Sequence, residues 1–367
     1  MKITAINLRA YRTPRPRPIR NGRLTYATST TCVVEVLTDE QVTGVGLGVG
    51  VMLPGGEQVV GALVGVFQEM LRGSDPLANE RLWSLMWQPK LLGRRGVEIR
   101  VLSMIDIALW DIKAKVSNLP LHQMLGSFVE AVPYYVAGGY YEEGKDLAAL
   151  ADEMCGYVDG GAGGVKMKIG GVSVADDLRR VEAVRAALGT DVKLMVDANG
   201  AYDTATAVRM ARALEPFDIT WFEEPVEPDN YTGYAAVSQA SSIPVAGGEN
   251  EATRYGFRDL IAVGHPSVIN PDAEILGGVT EYVKVAALAQ SSGIAIAPHG
   301  RAELHAQLTC ALPNGLMVEY YKDNVDPLAT RLIPERPPIR DGLIFPSQRP
   351  GIGIVVDEEA AVEFRVL

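Results

Sequence analysis

Four short runs decide the fold: VKMKIGG (165–171), KLMVDANG (193–200), ITWFEEP (219–225) and PVAGGEN (244–250). Each is an apolar strand-like run that ends in ionisable residues, and a helical stretch such as ADDLRRVEAVRAALG (175–189) separates one from the next. Working outward, further apolar runs begin near Pro133, Ser267, Ile294 and Leu316, with another helical stretch, EYVKVAALAQSSG (281–293), between two of them. Strand–helix units repeated in this way imply a parallel sheet with right-handed crossovers. Eight units of about 25 residues fit a closed (β/α)₈ TIM barrel over residues 131–333. An open doubly wound sheet is the alternative, and the evenness of the eight units favours closure.

Residues 1–130 read differently, as an α+β domain. A strand-like run, Ile3–Tyr11, leads into an Arg/Pro-rich loop, Arg12–Arg23. Two further strands are expected over Thr31–Thr38 and Gly44–Val51, and helices over Gln58–Leu71 and Val97–Lys115. The Pro-rich tail 334–367 is too short for a domain and is expected to return to the N-terminal part.

Composition narrows the classes of function. The chain has 367 residues, is 47% hydrophobic and 22% charged, and carries a net charge of −11. That is globular composition with room for a large core. The acidic balance argues against nucleic acid and against anionic membrane surfaces. Cys32, Cys155 and Cys310 are isolated from one another, so neither a disulfide framework nor a thiolate zinc site is expected. No run of about 18 apolar residues suggests a span, and the N-terminus does not read as a signal peptide. A reducing, cytoplasmic compartment is the expectation.

In such barrels the chemistry sits at the C-terminal ends of the strands. Strands two to eight end in Lys166 and Lys168, Asp197 and Asn199, Glu223 and Glu224, Glu249, Asp272, His299, and Glu319. Asp197, Glu223 and Glu249 follow one another at equal steps of one barrel unit. Three adjacent carboxylates stay ionised together only around a cation, and all-oxygen ligation suits Mg²⁺ or Mn²⁺. Lys166 and Lys168 share a face, and each is expected to depress the pKa of the other toward that of a general base. His299 follows Asp272 by one unit and makes a His–Asp dyad. Competing motifs fail: GVGLGVG (44–50) does not fit GxGxxG, and GxxxxGK[ST], HExxH and GxSxG do not occur. A plain glycosidase pair would leave the lysines and the dyad without a role.

This ring of residues resembles the enolase superfamily, and within it the mandelate racemase subgroup. The motifs run in family order: IDIALWDIKAKVSNLPLHQMLG (105–126), KMK (166–168), VDAN (196–199), WFEEP (221–225), GGEN (247–250), PDAEILGGVTE (271–281), PHG (298–300) and VEY (318–320). The resemblance implies that Asp197, Glu223 and Glu249 hold one Mg²⁺ and that Lys168 and His299–Asp272 are acid/base groups on opposite faces. It further implies that Lys166 touches the substrate carboxylate, that a protonated Glu319 donates to an enolate oxygen and that Asn199 contacts a hydroxyl near the metal. Glu224 looks like the neighbour that supports Glu223. The N-terminal domain would cap the barrel mouth, where Arg17 and Arg20, with Arg15 and Arg23, could bind a distal anion or hydroxyls. A homo-oligomer is implied as well. Members of the subgroup abstract the proton α to a carboxylate. The expected outcome is dehydration of an acid sugar, an aldonate or aldarate, to a 2-keto-3-deoxy acid. The alternative from the same residues is a racemase or epimerase of a 2-hydroxy acid. A non-catalytic relative would not need the complete set.

Overall fold

The computed structural model describes residues 1–50 and 55–367. The chain begins with an antiparallel sheet in the order β1–β2–β3: β1 Ile3–Arg20, β2 Thr25–Thr38 and β3 Thr43–Val49. The end of the third expected strand, Val51, lies outside the described residues. Helices α1 (Gly56–Leu71), α2 (Asn79–Met86), α3 (Val97–Val116) and α4 (Leu121–Met124) complete this cap.

The expected loop Arg12–Arg23 is instead mostly strand. β1 keeps register with β2 as far as Pro14↔Thr28 and resumes it at Ile19↔Tyr26. Arg15–Pro18 are therefore an outward bulge opposite the single residue Ala27. An edge strand tolerates proline where no ladder hydrogen bond is made, and Pro16 and Pro18 fall in that bulge.

The glycines of the GVGLGVG run have a packing role. Gly44, Gly46 and Gly48 alternate along β3 and face α3. A Cβ on Gly46 would lie 1.8 Å from the Met104 carbonyl oxygen, and one on Gly44 2.1 Å from that of Ala108. The missing side chains let a helix backbone lie directly on a strand. α3, buried over most of its surface, also carries the junction with the barrel. Asp106 accepts hydrogen bonds from Thr280 N (2.9 Å) and Oγ1 (2.6 Å), Ser103 Oγ accepts from Gly277 N (2.9 Å), and Trp110 Nε1 donates to Thr280 Oγ1 (2.8 Å).

The barrel strands are β4 Val132–Gly138, β5 Gly164–Lys168, β6 Lys193–Asp197, β7 Ile219–Glu223, β8 Val245–Gly247, β9 Val268–Ile269, β10 Ala295–Ile296 and β11 Val318–Tyr320. They pair in parallel from β4 through to β10, and β11 returns to β4. A parallel bridge between Ile296 and Gly315 closes the ring on its remaining side. All eight apolar runs read from the sequence are strands. The tail first forms a hairpin, β12 Ile339–Arg340 and β13 Leu343–Ile344, whose second strand pairs antiparallel with β4. It then returns to the cap, where Asp111 accepts from Ile352 N (2.8 Å) and Val366 N donates to Ala10 O (2.8 Å).

The barrel interior is layered by the period-two alternation of strands. Met195, Trp221, Ala297 and Met317 belong to a buried apolar floor, with Tyr135 packed edge-on to Trp221 at 5.3 Å. Two residues further along those strands stand Asp197, Glu223, His299 and Glu319.

Gly46→Ala should cost about 3 kcal/mol or abolish folding, because its Cβ meets backbone that no side-chain rotation can clear. Gly65→Ala, on the open face of α1 with nothing within 4 Å, should instead stabilise by about 0.5–1 kcal/mol. Thermal melts of the two variants check the contrast, and equal effects would refute this reading of the β3–α3 contact.

Candidate active site

Period-two alternation above the floor brings the strand-end residues to one point. Asp197 and Glu223 are fully buried, and Glu249 joins them from just beyond β8. One oxygen from each of the three carboxylates lies within 4.8 Å of the others. Glu249 Oε2 and the side-chain oxygen of Asn199 are buried without a hydrogen-bond partner. Asn199 N donates to Asp197 Oδ1 (2.8 Å), and its amide reaches Glu249 Oε1 at 3.5 Å. Glu224 lies at the rim with φ +38°, and its Oε1 accepts from Asn250 Nδ2 (2.9 Å). Burial first, and then Glu249 and Asp197, hold its carboxyl well above the usual range. Burial likewise raises Glu223 to about 7, against the pull of Lys166.

The lysines are not brought down toward neutrality, because carboxylates outweigh the lowering that Lys166 exerts on Lys168. Lys168 Nζ lies 2.5 Å from Asp197 Oδ2, while Lys166 Nζ sits 2.6 Å from Glu223 Oε1 and 2.7 Å from Glu319 Oε1. Burial alone would lower both amines, yet these carboxylates carry them well above the ordinary lysine range. The expected mutual lowering is overturned because the dominant neighbours of each ammonium are anions on other strands. Each ammonium also lies over an aromatic ring, Lys166 over Tyr135 at 5.5 Å and Lys168 over Tyr140 at 5.2 Å.

His299 and Asp272 meet as the sequence suggested, Nδ1 to Oδ2 at 2.9 Å. Burial opposes the charge on His299, but Glu249, Asp272 and Glu319 raise it to about 10. The surrounding carboxylates thus favour the charged form of the imidazole. Glu319 departs from the expectation that it carries a proton. Its Oε2 accepts from Gly300 N (2.9 Å) and Tyr321 Oη (2.8 Å), and its Oε1 faces the Lys166 ammonium. Burial favours the neutral form, but Lys166, His299 and Lys168 hold the carboxyl at about 2. Glu319 is an ionised acceptor here.

The capping arginines separate. Arg17 is exposed on the bulge of β1. Arg20 lies over the Tyr141 ring at 4.7 Å and donates to Gly171 O (2.9 Å), in the loop that follows β5. Neither joins the carboxylate cluster. Arg15 donates to Val325 O, and Arg23 pairs with Glu227. A cavity of about 360 Å³ at the mouth is lined by Asn21, Arg23 and Tyr26 from the cap and by Asn199, Glu224 and Glu249 from the barrel.

Other residues of the site had not been singled out in the sequence. Trp221 Nε1 donates to Glu223 Oε2 (2.9 Å) and fixes that carboxylate. His305 Nε2 accepts from Ala273 N (3.1 Å), one residue beyond Asp272, and burial lowers it to about 4. Tyr321, whose hydroxyl lies 3.2 Å from His299 Nε2, stands two residues after Glu319. That spacing was visible in LMVEYY and was the available signal.

Comparison with known proteins agrees with this architecture. Residues 3–126 match the N-terminal domain of the mandelate racemase/muconate lactonizing enzyme family, and residues 146–360 match the enolase C-terminal domain-like family. The chain is 35% identical to L-talarate/galactarate dehydratase of Salmonella typhimurium, over 79% of this chain and 72% of that one. It is 31% identical to D-galactarolactone cycloisomerase of Agrobacterium fabrum, over 100% of this chain and 99% of that one. Its fold superposes with a TM-score of 0.90, at 32% identity, on L-talarate dehydratase from Polaromonas sp. JS666 complexed with Mg and L-glucarate, covering 100% and 98% of the two chains. Two matched domains, in the order of the cap and the barrel described above, make this chain a member of the mandelate racemase/muconate lactonizing enzyme family, with an enolase-like barrel.

Proposed function

We propose that the protein dehydrates an acid sugar, an aldonate or aldarate, to a 2-keto-3-deoxy acid with the help of Mg²⁺. The observation that carries this reading is the pairing of a lysine from β5 with a charged His–Asp dyad beyond β10, around a buried all-oxygen cluster. The naming of its relatives as dehydratases and a cycloisomerase of sugar acids supports it.

The cluster fits a hard divalent cation on its own chemistry. Asp197, Glu223 and Glu249 offer only carboxylate oxygens, and one of those oxygens is buried without a partner. Asp197, Glu223, Glu249 and Glu319 against Lys166 and Lys168 leave an excess of two negative charges, the charge such an ion would balance. These three residues would hold Mg²⁺, which when bound supplies Lewis-acid stabilisation of charge on the substrate carboxylate.

The remaining steps belong to the protein. Lys166, held as an ammonium between Glu223 and Glu319, donates to a carboxylate oxygen of the substrate. Lys168 takes the α-proton as the neutral amine, after its ammonium proton has passed to solvent and its pairing with Asp197 has been given up. The electron pair of that C–H bond is first held as the enediolate of the substrate carboxylate beside Lys166, and it forms the C2–C3 double bond when the hydroxyl on C3 departs. His299, oriented by Asp272, gives its Nε2 proton to that hydroxyl, which leaves as water. The enol then ketonises to the 2-keto-3-deoxy acid. Racemisation would instead ask Lys168 and His299 to exchange the roles of base and acid between the two directions, with the hydroxyl on C3 retained.

The variants should separate the two proton transfers. Lys168→Ala should lose both α-proton exchange in D₂O and dehydration. His299→Asn should keep exchange and lose dehydration, by about 10²–10⁴-fold. Proton NMR of a panel of aldonates, aldarates and 2-hydroxy acids reads both, and full dehydration by His299→Asn would refute the role given to the dyad. Wild-type exchange with an intact carbon skeleton would mark a racemase or epimerase instead. Chelation with EDTA should abolish turnover and added Mg²⁺ restore it, whereas activity that survives exhaustive chelation would count against the metal.

A further inference from the structure

Tyr321 occupies a place in this site that the proton transfers above do not use. Its hydroxyl lies 2.8 Å from Glu319 Oε2 and 3.2 Å from His299 Nε2, and its ring stands edge-on to the imidazole with centroids 6.3 Å apart. His299 Nε2 itself is 3.9 Å from Glu319 Oε2, too far for a direct hydrogen bond, so the hydroxyl is the bridge between them. The direction of that bridge follows from donor counting. Glu319 already accepts from Gly300 N and faces the Lys166 ammonium, so the Tyr321 O–H donates to it. The hydroxyl oxygen then shows its lone pairs to His299, and Nε2 must bring the hydrogen. Nδ1 is already engaged with Asp272 at 2.9 Å. With the Lys166–Glu319 contact at 2.7 Å, this makes one chain across the barrel mouth: Asp272, His299, Tyr321, Glu319, Lys166.

We propose that Tyr321 is a positioning residue, whose hydroxyl aims the Nε2–H of His299 and ties it to the Glu319–Lys166 pair. Asp272 alone holds one edge of the imidazole and leaves the ring free to tilt about that bond. A second bond at the opposite nitrogen fixes the direction in which the proton leaves. The purpose of that aim, delivery of a proton to the departing hydroxyl, rests on the function proposed above. The bridge itself does not.

Tyr321→Phe keeps the ring and its edge-on contact and deletes only the bridge. The first readout needs no substrate. In ¹⁵N-histidine-labelled enzyme with Mg²⁺, the Nε2–H resonance of His299, assigned by its loss in His299→Asn, should be resolved in the wild type. It should broaden through exchange with water in Tyr321→Phe, while the Nδ1–H stays in place. The second readout uses the sugar acid that the wild type dehydrates. There kcat should fall about 10- to 100-fold, as expected for losing a hydrogen bond to a charged group, with KM little changed and α-proton exchange retained. A melting temperature equal to the wild type certifies the fold, and should it fall, Tyr321→His, which restores a polar atom near the hydroxyl position, should recover part of the kcat. An unaltered Nε2–H resonance, or an unchanged kcat, overturns the proposal. If no sugar acid in the panel is dehydrated by the wild type, the functional reading fails, and the resonance still decides the bridge.

Discussion

The barrel mouth holds more buried negative charge than its own cations balance, and much of the structure answers that constraint. Asp197, Glu223 and Glu319 are fully buried and Glu249 is partly so, with Lys166 and Lys168 in direct contact with the group and His299 3.7 Å from Glu249. Each buried ion costs several kcal/mol in lost hydration unless partners replace the water. Trp221, Asn199 and Gly300 supply such partners as N–H donors. The imidazolium of His299 supplies another positive charge, offset in turn by Asp272. Under the function proposed above, this charge would be set in advance toward a cation and toward a substrate carboxylate beside Lys166, and preorganised charge of this kind needs no reorganisation during a reaction.

Holding that arrangement is the task of the two domains together. The strands give the side chains their common face, and the apolar floor below excludes water from it. The cap is fixed to the barrel through α3, whose Ser103, Asp106 and Trp110 seat the start of the helix Gly278–Ser291. That helix directly follows the segment bearing Asp272. The same α3 rests on the bare glycine face of β3, so the cap sheet, the cap helix and the dyad strand form one continuous stack.

Much of this was legible in the sequence because a strand end leaves a local trace. Asp197, Glu223, His299 and Glu319 each follow an inward apolar residue by two, a pattern that needs no knowledge of neighbours. What failed depended on neighbours. The lysines were read as repelling each other because they adjoin in sequence, whereas their ion partners stand on β6, β7 and β11. The proton on Glu319 was implied by the family resemblance alone, and its neighbours here, Lys166 and the Gly300 amide, are invisible from VEY. The arginines of the cap were grouped by composition, but the pleat of β1 and its bulge send Arg17 and Arg20 elsewhere. Prolines in Arg12–Arg23 looked like a loop because the sequence does not say that β1 is an edge strand.

That bulge has a consequence of its own. β1 is pinned at one end by its ladder to β2 as far as Pro14, and at the other by paired backbone hydrogen bonds between Arg20 and Tyr141, both 2.9 Å. Tyr141 is in turn held by Asp177 and by the Gly171 amide beside β5. Between those anchors, Arg15–Pro18 have no register to keep. The segment acts as an expansion joint: at the exposed Pro16–Pro18, residues can be exchanged, inserted or removed while both anchors stay where they are. Selection can therefore remodel the rim of the mouth at that point without disturbing either the cap sheet or the strand that carries Lys168.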